Sequence, residues 1–83
     1  MVTTQQRLTL CAGQHEWDSK RGEMTFTHRV EAVPQGESAE IVHFKFKGWQ
    51  IVRTNGRDVW ACPGFYTTPE EALEFLQTVI DRE

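Results

Sequence analysis

Only two cysteines occur in 83 residues, Cys11 and Cys62, too few for the disulfide framework that holds many small secreted scaffolds together. A single bridge between them would need Cα atoms within about 7 Å, and two buried free thiols are the simpler expectation. No stretch approaches the roughly 18 apolar residues of a membrane span. The opening MVTTQQRLTL has neither the cationic start nor the long apolar centre of a signal peptide, so the expected location is cytoplasmic. Walker-type and dinucleotide-binding glycine patterns are missing, the six glycines being dispersed at turns. Close ligand pairs such as Cys-x-x-Cys or His-x-x-x-His are missing as well, and neither a metal nor a cofactor is expected. Cys11 and His15 are four residues apart, roughly 13 Å along a regular strand, too far for a nucleophile and its base. The chain is therefore expected not to be an enzyme.

What the chain does have is enough apolar material for one small core. Apolar residues make up 39% and aromatic residues 11%, with three tryptophans and five phenylalanines, each able to bury far more area than alanine. A folded chain of this length buries roughly 60% of the surface its extended form exposes, so one domain over residues 7–83 is expected, preceded by a loose polar tail over residues 1–6. The net charge of −3 speaks against a surface that tracks a phosphate backbone throughout. That average hides a division: residues 41–69 carry Lys45, Lys47, Arg53 and Arg57 against Asp58 alone, while both flanking segments are net acidic.

Periodicity supplies the order of elements. Arg7–Trp17 alternates about a break at Gly13, and Glu23–Val33 alternates cleanly, with Met24, Phe26, His28 and Val30 on one parity; the two read as a hairpin. His28, on that apolar parity, is expected to be a core-edge histidine satisfied by a backbone group. A third strand begins near Glu40 with Val42, Phe44 and Phe46 on one face and His43, Lys45 and Lys47 on the other. Gly48 then breaks the count, as either a one-residue β-bulge or a tight turn would; the bulge is preferred. Asn55-Gly56 reads as a two-residue type I′ turn, which pairs Val52 with Val59 and Ile51 with Trp60, and puts Arg53 opposite Asp58 at the tip. Thr68-Pro69-Glu70-Glu71 has the cap, the proline at the first helical position and the acidic first turn of a helix. Ala72, Phe75, Leu76, Val79 and Ile80 form its apolar stripe. The expected fold is α+β: a two-layer arrangement of an antiparallel four-stranded sheet, in the chain order β-β-β-β-α, with the carboxy-terminal helix packed on one face.

The stretch from Phe46 to Leu76, a hairpin followed by Gly64-Phe-Tyr-Thr-Thr-Pro-Glu-Glu-Ala72 and a helix, resembles the small three-strand-plus-helix modules at the amino ends of phage-type integrases. The resemblance covers under half the chain and implies a sheet that enters a DNA groove, with Lys45, Lys47, Arg53 and Arg57 as its cationic strand residues. The acidic helix departs from the basic character of those modules.

One helix covers one sheet face, so the other face is the candidate site. The expected partner-binding residues are His43, Lys45, Lys47, Gln50, Val52, Arg57 and Val59, an apolar centre within a polar rim. The expected function is a protein-interaction or inhibitory, regulatory adaptor whose partner is another protein or a second copy of the chain, with no membrane. The alternative is a nucleic-acid-binding accessory using Lys45, Lys47, Arg53, Arg57 and Trp17.

Overall fold

The computed structural model describes residues 7–19 and 21–82; the tail expected over residues 1–6 lies outside them. The chain is a small α+β domain in which an antiparallel sheet carries one carboxy-terminal helix. Strand β3 (Glu23–Glu31) organises the sheet because its alternation is the longest in the sequence. Along one edge of β3 lie β1 (Thr9–Leu10) and β2 (Gln14–Asp18), two pieces of a single interrupted edge. The interruption falls at Gly13, where a Cβ would sit 2.3 Å from the Phe26 ring. On the other edge follow β4 (Ser38–Phe44), β5 (Gly48–Thr54) and β6 (Val59–Ala61), all antiparallel. The sheet thus has more strands than the expected four, because the amino-terminal strand splits and the strand expected to run from near Glu40 through a bulge at Gly48 is two, β4 and β5.

Helix α1 spans Pro69–Arg82. The Glu71 N–H donates to Thr68 Oγ1 at 3.2 Å, which gives one of the first-turn donors a partner, and Glu70 and Glu71 sit at the positive end of the helix dipole. Leu76 is fully buried against Ile41 and Ile51, which face each other across β4 and β5 and are likewise 0% exposed. Leu8, Val30, Ala39 and Ala72 complete the core. The Leu8 N–H donates to Gln77 Oε1 at 2.8 Å, tying the start of the described chain to the helix. Phe75, expected inside, is half-exposed at the helix edge with its ring 5.7 Å from that of Tyr66; Leu73 and Ile80 flank the core instead. His28 is half-buried, its Nδ1 2.7 Å from the Cys11 carbonyl. Cys11 and Cys62, expected as buried thiols, are half-buried and are not bridged to each other.

Three expectations about register are corrected. The β4–β5 connection is a tight turn, not a bulge: Phe44 is opposite Gly48, and the Lys47 N–H donates to the Phe44 carbonyl at 3.0 Å. In consequence Ala39 and Ile41 face the helix, while Val42 and Phe44, expected inside, face the other way. At the next hairpin, the Asn55 side chain accepts the N–H groups of Arg57 and Asp58 at 2.9 and 2.8 Å, and Gly56 alone takes a positive φ. This Asx-type turn centres the hairpin one residue later than a type I′ Asn-Gly turn would. Val52 is therefore opposite Ala61 and Arg53 opposite Trp60, and the Cys62 N–H donates to Ile51 O at 2.9 Å. A two-residue slip preserves side-chain parity, so Val52 and Val59 still share a face.

Leu76→Ala is expected to cost about 2–5 kcal/mol, the range for deleting a fully buried leucine, and Thr68→Ala about 1 kcal/mol. Denaturant midpoints check both; an unchanged midpoint for Leu76→Ala would put the helix outside the core.

Candidate interaction surface

The face of the sheet turned away from α1 is concave. Strands β3, β4 and β5 form its floor, and the β2–β3 end and β6 rise on either side, giving an open trough of about 370 Å³. Side-chain alternation delivers Thr25 and Thr27 from β3, Glu40, Val42 and Phe44 from β4, Gln50 and Val52 from β5, and Val59 and Ala61 from β6. The floor is withdrawn from water although no layer of the described residues covers it: Thr25, Thr27 and Val42 are 8%, 3% and 9% exposed. Trp17 and Trp60 border the trough, but their register, opposite Met24 and Arg53, puts their side chains on the other face.

The charges in the trough are mixed and lean acidic. Glu16, Asp18 and Glu40 line it with Arg21, and Arg29 reaches Glu16 Oε2 at 3.5 Å. Arg21 is paired with Asp18 and lies 4.3 Å over the Phe44 ring. Glu40 stands opposite Arg29 on one side and Val52 on the other. Burial pushes its carboxyl above the ordinary glutamate range; the Glu16 charge adds to that rise and Arg29 opposes it.

Of the residues expected to bind a partner, Gln50, Val52 and Val59 lie in the trough. His43 does not: it packs on the helix side of the sheet, its ring 4.8 Å from that of Trp49. Lys45 and Lys47 sit on the β4–β5 turn, their ammonium groups 5.5 and 5.8 Å over Phe46 and Phe65, and Arg57 sits on the β5–β6 turn at the other end of β5. Arg53 is 6% exposed on the helix side, held by Glu37 at 2.6 Å and stacked 5.5 Å from the Trp60 ring. The basic residues therefore do not form one strip.

Sequence reasoning missed Glu16, Thr25, Thr27, Glu40 and Val42. The signal for the threonines was present in the second parity of Glu23–Val33, which had no assigned neighbour once β4 was given the wrong face. It also missed an aromatic cluster in which His15, Phe26, His28, Trp49 and His43 follow one another with ring centroids 4.8–5.4 Å apart along the chain of contacts His15–Phe26–His28–Trp49–His43. Among the described residues, no three His, Cys, Asp or Glu side chains are placed to hold a metal, and no helix is long and apolar enough to cross a membrane. Comparison with known protein families, curated proteins and solved structures gives no match.

Because the folded chain holds the Glu40 proton to higher pH than the unfolded chain, ionising Glu40 costs stability. The cost is nil below about 4.3, the ordinary glutamate value, grows as pH rises through the raised value, and is complete above it. Glu40→Gln is accordingly expected to be more stable than the parent at about pH 7, with the gap closing below about pH 4. Denaturation midpoints across that range check it; a variant less stable at neutral pH would contradict the assignment.

Proposed function

We propose that the chain is a non-enzymatic protein-interaction domain, an adaptor or inhibitory module that takes its partner on the open face of the sheet. The observation that carries this reading is the trough, whose floor of Thr25, Thr27 and Val42 is already withdrawn from water with no layer of the described chain above it. A floor of that kind has little hydration left to lose when a partner arrives, and Val52, Val59 and Ala61 add apolar surface beside it. A trough open along one side suits a protein segment better than the enclosed pocket a small ligand normally fills. Specific binding needs roughly 800 Å² per partner, so the contact extends beyond this floor to the exposed Val59 on β6.

The nucleic-acid alternative draws less support. Phosphate tracking requires neighbouring cations, whereas Lys45 and Lys47 are separated from Arg57 by the length of β5, Arg53 is held by Glu37, and carboxylates occupy the ground between.

Affinity capture from the native source, with and without nuclease, tests the reading when the parent is compared with Val52→Asp and with Lys45→Ala/Lys47→Ala, each first checked for folding by heteronuclear NMR. The same protein should be recovered with the parent whether or not nuclease is added. It should be lost with Val52→Asp, which would bury an unpaired carboxylate in the contact, and kept by the double lysine variant. Recovery that depends on nucleic acid, or loss confined to the lysine variant, would replace this function with nucleic-acid binding.

A further inference from the structure

We infer that the free edge of β6 pairs with β6 of a second copy of the chain, antiparallel about a two-fold axis at Trp60, so that two sheets join into one. This is independent of what the trough holds.

The β6 edge is open in a way that the opposite edge is not. Among the described residues β6 pairs with β5 alone and ends the sheet, and α1, resting mainly on β5, β4 and β1, leaves it clear. The Cys62 N–H donates to the Ile51 carbonyl at 2.9 Å, and the Asn55 N–H to the Asp58 carbonyl at 3.2 Å. Inward and outward groups alternate along an antiparallel strand. Trp60, midway between those two contacts, therefore turns its N–H and carbonyl to β5, while Val59 and Ala61 turn theirs outward. All three residues of β6 are exposed. Sheet edges are commonly blunted by charge, proline or a bulge. The β1–β2 edge has two of these: its register steps by one residue across Gly13, from Leu10 opposite Val30 to Gln14 opposite Thr27, and Glu16 and Asp18 lie along β2. Val59-Trp60-Ala61 has none.

The same segment is complementary to itself. With the Trp60 residues of two copies opposite each other, Val59 of each copy meets Ala61 of the other, and their outward N–H and carbonyl groups make four hydrogen bonds. The two Trp60 residues become a non-hydrogen-bonded pair, the closer of the two kinds, with both indoles on the helix side. Each indole is already positioned: the Arg53 guanidinium stands 5.5 Å from its ring and is itself held by Glu37 at 2.6 Å, so pairing costs the side chain little freedom. No charge meets its like across the axis. Pro63 has no N–H and the Arg57 N–H is taken by Asn55 Oδ1, so the pairing stops at four bonds. Such a contact is small beside the roughly 800 Å² per partner of a stable complex, and the association is weak and concentration-dependent. The two-fold axis runs perpendicular to the sheet, so both troughs open on the same side and adjoin along their Val59 and Ala61 walls.

The test uses the intact domain. Sedimentation equilibrium from about 20 μM to about 1 mM covers the range of a weak interface and should show monomers in equilibrium with dimers. In a mixture of isotope-labelled and unlabelled copies, filtered nuclear Overhauser contacts should join Val59 of one copy to Ala61 of the other. Ala61→Pro removes an outward N–H and leaves the bonds of Trp60 and Cys62 to β5 in place. Each dimer then loses two hydrogen bonds, and the dissociation constant should rise by roughly tenfold or more. Val52→Asp, inside the trough, should dimerise as the parent does. Should Ala61→Pro not fold, the filtered contacts of the parent decide alone. A domain that stays monomeric over the whole range overturns the inference, as do contacts between copies at the β1–β2 edge. A dimer lost in Val52→Asp but kept in folded Ala61→Pro also overturns it, seating the second copy in the trough and leaving the docking surface standing.

Discussion

The turn between β4 and β5 decides which side chains the two faces of the sheet receive. Its geometry is set by a close approach: the Trp49 and Tyr66 main chains exchange two hydrogen bonds of 2.8 Å, and this brings the Tyr66 carbonyl to 2.5 Å from where a Cβ on residue 48 would stand. Only glycine fits there, and its φ of 114° lies in the region that favours glycine for its own reasons. Closing the turn at Gly48 also holds Phe46 at a φ of 67°, an uncommon conformation for a bulky residue. That residue is 95% exposed, so the strained position sits where no packing depends on it.

From that turn the rest follows by alternation. With Phe44 opposite Gly48, Ile41 meets Ile51 under Leu76, and the helix has a flat apolar seat. His43 goes with Trp49 to the helix side and joins the aromatic cluster there. Val42 and Glu40 go to the other side and meet Thr27, Arg29 and Val52. The same step removes both lysines of the turn from the trough, so the open face is acidic at its centre although the middle third of the sequence is basic.

Much of this fold was legible in the sequence, and for identifiable reasons. The helix is specified several times over, by Thr68, Pro69, Glu71 and the Ala72–Leu76–Ile80 stripe, and begins where expected. The alternation of β3 was long enough to resist misreading, and Gly13 did mark a break. The faces of β4 were not legible, because Ile41-Val-His-Phe44 is apolar on both parities and a glycine after a short turn leaves the same trace as a bulge after an uninterrupted strand. The second hairpin was misplaced because an Asn side chain that caps the turn competes with an Asn backbone that enters it; the pairing moved by two residues, and the face containing Val52 and Val59 survived. The candidate site was therefore half visible: its apolar side was found, while its acidic side was hidden behind the misassigned parity of one strand.

The side of the sheet on which His43 lies tests this account most directly, because the acidic character of the open face depends on the turn that sends His43 away from it. Nuclear Overhauser contacts between the His43 ring and the Trp49 indole are predicted, with none from His43 to Val52 or Gln50. Contacts from His43 to the Val52 methyls would show that β4 runs on through a bulge, return His43 and Lys45 to the open face, and contradict the composition of the trough.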